Sequence, residues 1–134
     1  MKRKLLTAIL SAMLIFSVIG GIVASARWRY IDCISASCYL NSSTGVVTIG
    51  ADIYGYQHTT TAVAIEIHIQ YYNTTTGKWV TADTDYEWFD DWNGILESKW
   101  QVSPGYTYRG RVYFDAYYYT LVEGTMLDTK TVTY

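Results

Sequence analysis

AVAIEIHIQYY, residues 62–72, alternates apolar and polar side chains with a period of two. Val63, Ile65, Ile67, Ile69 and Tyr71 fall on one side of the repeat, and Ala64, Glu66, His68 and Gln70 on the other. A pleated strand sends successive side chains to opposite faces, so this pattern describes a strand with one apolar and one polar face. A helix would scatter the same residues around its circumference and leave no apolar stripe. The segment reads as a central framework strand, with Val46–Tyr56 or Tyr106–Tyr118 as its expected neighbours.

Working outward from it, further strands are expected over Ile34–Leu40, Val46–Tyr56, Lys78–Asp85, Ile95–Val102, Tyr106–Tyr118 and Leu121–Tyr134. The turns between them carry recognisable chemistry: Asn41-Ser42-Ser43-Thr44-Gly45, Asn73-Thr74-Thr75-Thr76-Gly77 and Pro104-Gly105. Tyr86–Gly94 (YEWFDDWNG) reads as a loop, and Gly124 as the place where the last strand breaks. About seven short strands, regularly spaced and joined by turns, describe an all-β, antiparallel, immunoglobulin-like β-sandwich.

The chain begins Met1-Lys2-Arg3-Lys4, runs apolar from Leu5 to Val23 and reaches Ala24-Ser25-Ala26. A basic start, an apolar core and a small-x-small site form a secretory signal peptide, expected to be a helix until cleavage after Ala26. Residues 1–26 are therefore expected to be removed, and residues 27–134 to form one domain released to the cell exterior. The apolar run approaches membrane-spanning length, so a membrane partner is expected only where the leader stays uncleaved. The leader holds three of the ten Lys and Arg and none of the twelve Asp and Glu. Seven basic residues then face twelve acidic ones, a formal charge of −5, which disfavours nucleic acid and anionic membrane as partners.

Cys33 and Cys38 would enter an oxidising space, which favours a disulfide between them. Five residues of extended strand span about 16 Å, whereas bridged Cα atoms lie roughly 4.4–6.8 Å apart. The bond therefore requires the intervening ISAS to turn, and the alternative is two unbonded thiols on a strand.

Ser103-Pro104-Gly105-Tyr106-Thr107-Tyr108-Arg109, continuing to Val112, resembles the corner between the fifth and sixth strands of fibronectin type III and other immunoglobulin-like domains. There a Pro-Gly turn leads into alternating tyrosines, one of which hydrogen-bonds back across the corner. A wider pattern joins the leader, Tyr30-Ile31 with Cys33, Leu40–Gly45, Ile65–Gln70, Gly77-Lys78-Trp79-Val80 and Pro104–Arg109. In that order it resembles a group of small secreted proteins of Gram-positive bacteria known as domains of unknown function. The resemblance implies secretion and a β-sandwich and supplies no catalytic residues.

Three groups of residues are candidates for chemistry. His58 and His68 are the only histidines, no G-x-S-x-G surrounds a serine, and Glu66 with His68 lacks an evident third metal ligand. Hence no enzymatic activity is expected. Asp83, Asp85 and Glu87, with Asp90 and Asp91, offer oxygen donors for Ca²⁺, against the plainer reading of a charged solvent face guarding a sheet edge. Fourteen Tyr and five Trp exceed what a core of this size uses. Trp88, Phe89 and Trp92, in the expected loop, and Tyr113 and Tyr117, pointing outward beside Arg109 and Arg111, are the candidate ligand surface. The sequence thus points to a non-catalytic protein binding a protein partner at or beyond the cell surface, with a carbohydrate-binding module as the alternative.

Overall fold

A computed structural model describes residues 28–134; the leader and its cleavage site lie outside the described residues. Every regular element among the described residues is a strand: β1 (Ile31–Asn41), β2 (Val46–Gly55), β3 (Ala62–Asn73), β4 (Lys78–Phe89), β5 (Asn93–Gln101), β6 (Thr107–Tyr118), β7 (Leu121–Asp128) and β8 (Val132–Thr133). They form two antiparallel sheets, one ordered β1-β2-β5 and the other β4-β3-β6-β7, with β8 also pairing β6. The apolar alternations of β2, β3 and β6 face the opposite sheet. Val47, Ile49, Ala51 and Ile53 of β2 meet Val63, Ile65, Ile67 and Ile69 of β3 and Val112, Phe114 and Ala116 of β6, nearly all without solvent contact.

β3 is the centre of the larger sheet. It pairs with β6 along Ala62–Tyr71 and with β4 on its other side, while β2 lies across the core in the other sheet. Of the two neighbours expected for it, Tyr106–Tyr118 is the hydrogen-bonded one. On its polar side Ala64 and Gln70 are buried among neighbouring side chains, while Glu66 and His68 are partly exposed.

Three boundaries differ from expectation. β1 begins at Ile31, where a bulge admits Asp32, and the carboxylate of Glu123 accepts the backbone N–H groups of Arg29, Tyr30 and Ile31. β4 continues through Tyr86, Glu87, Trp88 and Phe89, so the expected loop shrinks to Asp90-Asp91-Trp92. The reason is pairing: Tyr86, Trp88 and Phe89 suit a pleated surface, and β3 supplies an unbroken partner opposite them. Gly124 does not interrupt β7; the break comes at Thr129, whose buried hydroxyl accepts from the Gly110 N–H and donates to the Lys130 carbonyl.

The expected disulfide is not formed, and both thiols are free. β1 runs in continuous register from Cys33 opposite Tyr54 to Cys38 opposite Ile49, so ISAS makes no turn. An odd separation also puts the two on opposite faces. Cys33 is exposed, whereas Cys38 points inward, where burial pushes its thiol up from the usual value.

Candidate functional site

Antiparallel partners share a face, so the register lays out the outer surface of the larger sheet in rows. From β4 across β3 and β6 to β7 these read Trp88, Ala64, Asp115, Gly124; then Tyr86, Glu66, Tyr113, Met126; then Thr84, His68, Arg111, Asp128. Thr81, Gln70 and Arg109 make the next row. Among the described residues no other strand covers this surface.

One end of it is self-contained. Arg111 forks onto Asp128, with Nε 2.8 Å from Oδ1 and a terminal nitrogen 2.9 Å from Oδ2. Arg109 lies 3.4 Å from the same carboxylate, donates from Nε to Gln70 Oε1 at 2.9 Å and stacks 4.2 Å above the Trp79 ring. Gln70 in turn donates to Thr81 at 3.1 Å. A bidentate pair of this kind stabilises the ionised forms of both partners. Accordingly the hydrogen bonds from Arg111 hold the Asp128 carboxyl below the usual carboxylate range and raise the Arg111 guanidinium, while burial lowers that of Arg109.

The other end is open. Among the described residues the Glu66 carboxylate bonds only to His68, and the Asp115 carboxylate makes no hydrogen bond. The Asp115 carboxyl is pushed up, first by burial and then by the charge of Glu66. Around the two carboxylates stand Tyr86 (56 % exposed), Trp88 (43 %), Tyr113 and Tyr117. The Trp88 and Tyr117 rings are 4.6 Å apart and tilted by 51°; those of His68 and Tyr113 are 5.0 Å apart and tilted by 58°. Trp88 is held by its indole N–H, which donates to Asp90 at 2.7 Å. Glu66, His68, Tyr113, Asp115, Gly124, Thr125 and Met126 line a shallow notch of about 550 Å³ here. Gly124 makes room for it: a Cβ at that position would stand 2.7 Å from an Asp115 carboxylate oxygen.

The residues singled out from sequence separate into three places. Trp88, Tyr113 and Tyr117 meet on this open end. Phe89 faces inward and packs against the core, over Gly94, whose missing side chain leaves room for the ring. Trp92 lies in the turn before β5 and packs near Tyr54, on the side of the smaller sheet.

Asp83, Asp85 and Glu87 do not converge. They pair with Ile69, Ile67 and Ile65, which puts them on the inward face of β4, beyond the margin of the opposite sheet, and not on its outer face. Each follows its own partners: Trp100 Nε1 donates to Asp83 at 3.0 Å, and the Ser98 hydroxyl donates to Asp85. Asp90 is taken by Trp88. No group of three His, Cys, Asp or Glu side chains among the described residues is placed to hold a metal ion.

Sequence reading did not anticipate Asp115, Gly124, Met126 or Tyr86 as site residues. The alternation Tyr113-x-Asp115-x-Tyr117 was a signal for the first of them, but the other three join it only through strand register. No protein-family model matches the chain, and no curated protein matches it.

Proposed function

We propose that this is a secreted, non-catalytic binding protein of immunoglobulin-like build, meeting a partner at the cell exterior through the open end of its larger sheet. The observation that carries the reading is the group of exposed aromatics, Tyr86, Trp88 and Tyr113, standing around Glu66 and Asp115 on a face that no strand among the described residues covers. Rigid aromatic side chains give large contact area at low entropic cost, and binding energy concentrates in such residues.

The immunoglobulin-like reading has two supports. The Tyr108 hydroxyl donates to the Ser103 carbonyl at 2.6 Å, the bond of a tyrosine corner. Strand order also agrees with the constant-type arrangement except at the fourth strand, which pairs with the third instead of the fifth. The non-catalytic reading rests on His68, whose one hydrogen bond is to Glu66; no Ser, Thr or Cys side chain among the described residues is hydrogen-bonded to a histidine.

Two measurements test the proposal. Mature protein recovered from culture medium should begin at Arg27; recovery only with cells as the full chain would overturn secretion. Fluorescently labelled protein should be retained on cells of the source organism, and Tyr86→Ser with Trp88→Ala should abolish that retention. Equal retention of the double variant would remove this face as the binding surface.

A further inference from the structure

The two ends of the outer face differ in what their charges lack. At the arginine end both guanidiniums and the carboxylate of Asp128 are matched to one another. At the open end the carboxylate of Glu66 is paired with the His68 imidazole, and among the described residues no Lys or Arg forms a salt bridge with Glu66 or Asp115. Opposed pairs Ala64–Asp115 and Glu66–Tyr113 make the two acids diagonal neighbours on adjacent strands. Diagonal positions lie roughly 7–8 Å apart at the backbone, close enough for both side chains to reach one small group between them.

The surrounding rings stand in tilted pairs. The Trp88 and Tyr117 rings are tilted 51° to each other, and Tyr113 is tilted 58° to His68, so neither pair forms one continuous flat face of the kind a pyranose stacks on. Tilted π faces beside uncompensated carboxylates suit a compact cation, which gains from both. A primary ammonium has three donors on a flexible alkyl stem, and Tyr113 and Met126 offer apolar surface to such a stem. The absence of a side chain at Gly124 keeps the Asp115 carboxylate within reach from the β7 side.

We propose that the open end docks a lysine-bearing segment of a partner polypeptide, with one ε-ammonium seated between Glu66 and Asp115 among Tyr113, Tyr117 and Trp88. This rests on the reading of that face as the binding surface and adds the chemistry of what it binds. A cation arriving there offsets the desolvation of the Asp115 carboxylate and its repulsion by Glu66.

The experiment is a backbone-amide NMR titration of the mature chain with a capped oligolysine peptide. Shifts are expected at Glu66, Tyr113, Asp115, Gly124 and Met126. Asp115→Asn and Glu66→Gln should each weaken binding about tenfold, as loss of one charge contact in a partly desolvated notch implies. Gly124→Val should block the notch, with an unchanged far-UV spectrum confirming the fold. The same peptide with acetylated ε-amines should give no shifts. Equal binding of the acetylated peptide overturns the proposal, as does an equal loss with Glu97→Gln on the smaller sheet, which would mark diffuse attraction. Shifts of these amides by a neutral oligosaccharide but not by oligolysine would replace the amine with a sugar and leave the binding face in place. If oligolysine is silent while Tyr86→Ser with Trp88→Ala still abolishes retention on cells, only the lysine inference fails; if both fail, the face itself is wrong.

Discussion

The arginine end and the open end of the outer face are built on the same two strands, β3 and β6, a few residues apart. At the first, Arg109, Arg111, Asp128, Gln70 and Trp79 satisfy one another. At the second, among the described residues, the Asp115 carboxylate has no hydrogen-bond partner and that of Glu66 has only His68. The difference separates framework from availability: polar side chains that complete one another's bonds stiffen a sheet, whereas uncompensated ones keep their bonding capacity for something else.

The comparison makes graded predictions. Phe114, fully buried between Tyr113 and Asp115 in sequence, anchors the sheet beneath the open end. Phe114→Ala should cost about 3–5 kcal/mol in urea unfolding; a cost below about 1 kcal/mol would mean that this end does not hang on the shared core. Asp128→Asn should cost about 1–2 kcal/mol at neutral pH, since both arginines lose a charged acceptor. Arg111 depresses the Asp128 carboxyl, so this contribution is full above the unfolded value near 4 and is lost as pH falls through the lower folded value. The unfolding midpoint of Asp128→Asn should therefore fall less than that of the wild type on acidification.

Tyr108→Phe, which removes the bond to Ser103 beside the arginine end, should cost about 1 kcal/mol, read from thermal unfolding. Asp115→Asn should change stability least and in the opposite direction, a gain of about 0.5 kcal/mol at neutral pH. Because the folded Asp115 carboxyl is held above its unfolded value, ionisation weakens the fold as pH rises through that window. The gain should accordingly vanish below about pH 4, where both forms are neutral. If Asp115→Asn instead destabilised as Asp128→Asn does, the two ends would not differ in kind.

Much of this frame is legible in the sequence. The period-two repeat of Ala62–Tyr72 fixes both faces of the central strand, and the turns at Gly45, Gly77 and Gly105 fall where their residues indicate, each glycine adopting positive φ. The tyrosine corner can be read from Pro104 to Tyr108. Less accessible is anything that depends on which residues stand opposite one another. Gly124 looks like a strand breaker until Asp115 is placed across from it. Asp83, Asp85 and Glu87 look like an outer face or a cation loop until pairing with the isoleucines of β3 turns them inward. Phe89 looks like a loop aromatic until Gly94 leaves it a place in the core. One-dimensional periodicity gives the face of each strand but not its register, and the site is made of register.

The inward-turned acids of β4 have a consequence for how copies of this chain can associate. They lie along the flank where β4 and β5 leave the two sheets unsealed, with Asp85 accepting from Ser98 and Asp83 from Trp100 of β5. A second copy adding a strand there would bring its own Asp83, Asp85 and Glu87 against the first set, a repulsion that protein sheets use to stay separate. A molecule with one flank so guarded has only the opposite flank, at β1 and β7, to offer. Edge pairing through it closes after two copies, because a dimer joined there presents charged flanks at both ends and gives a growing fibre nothing to extend.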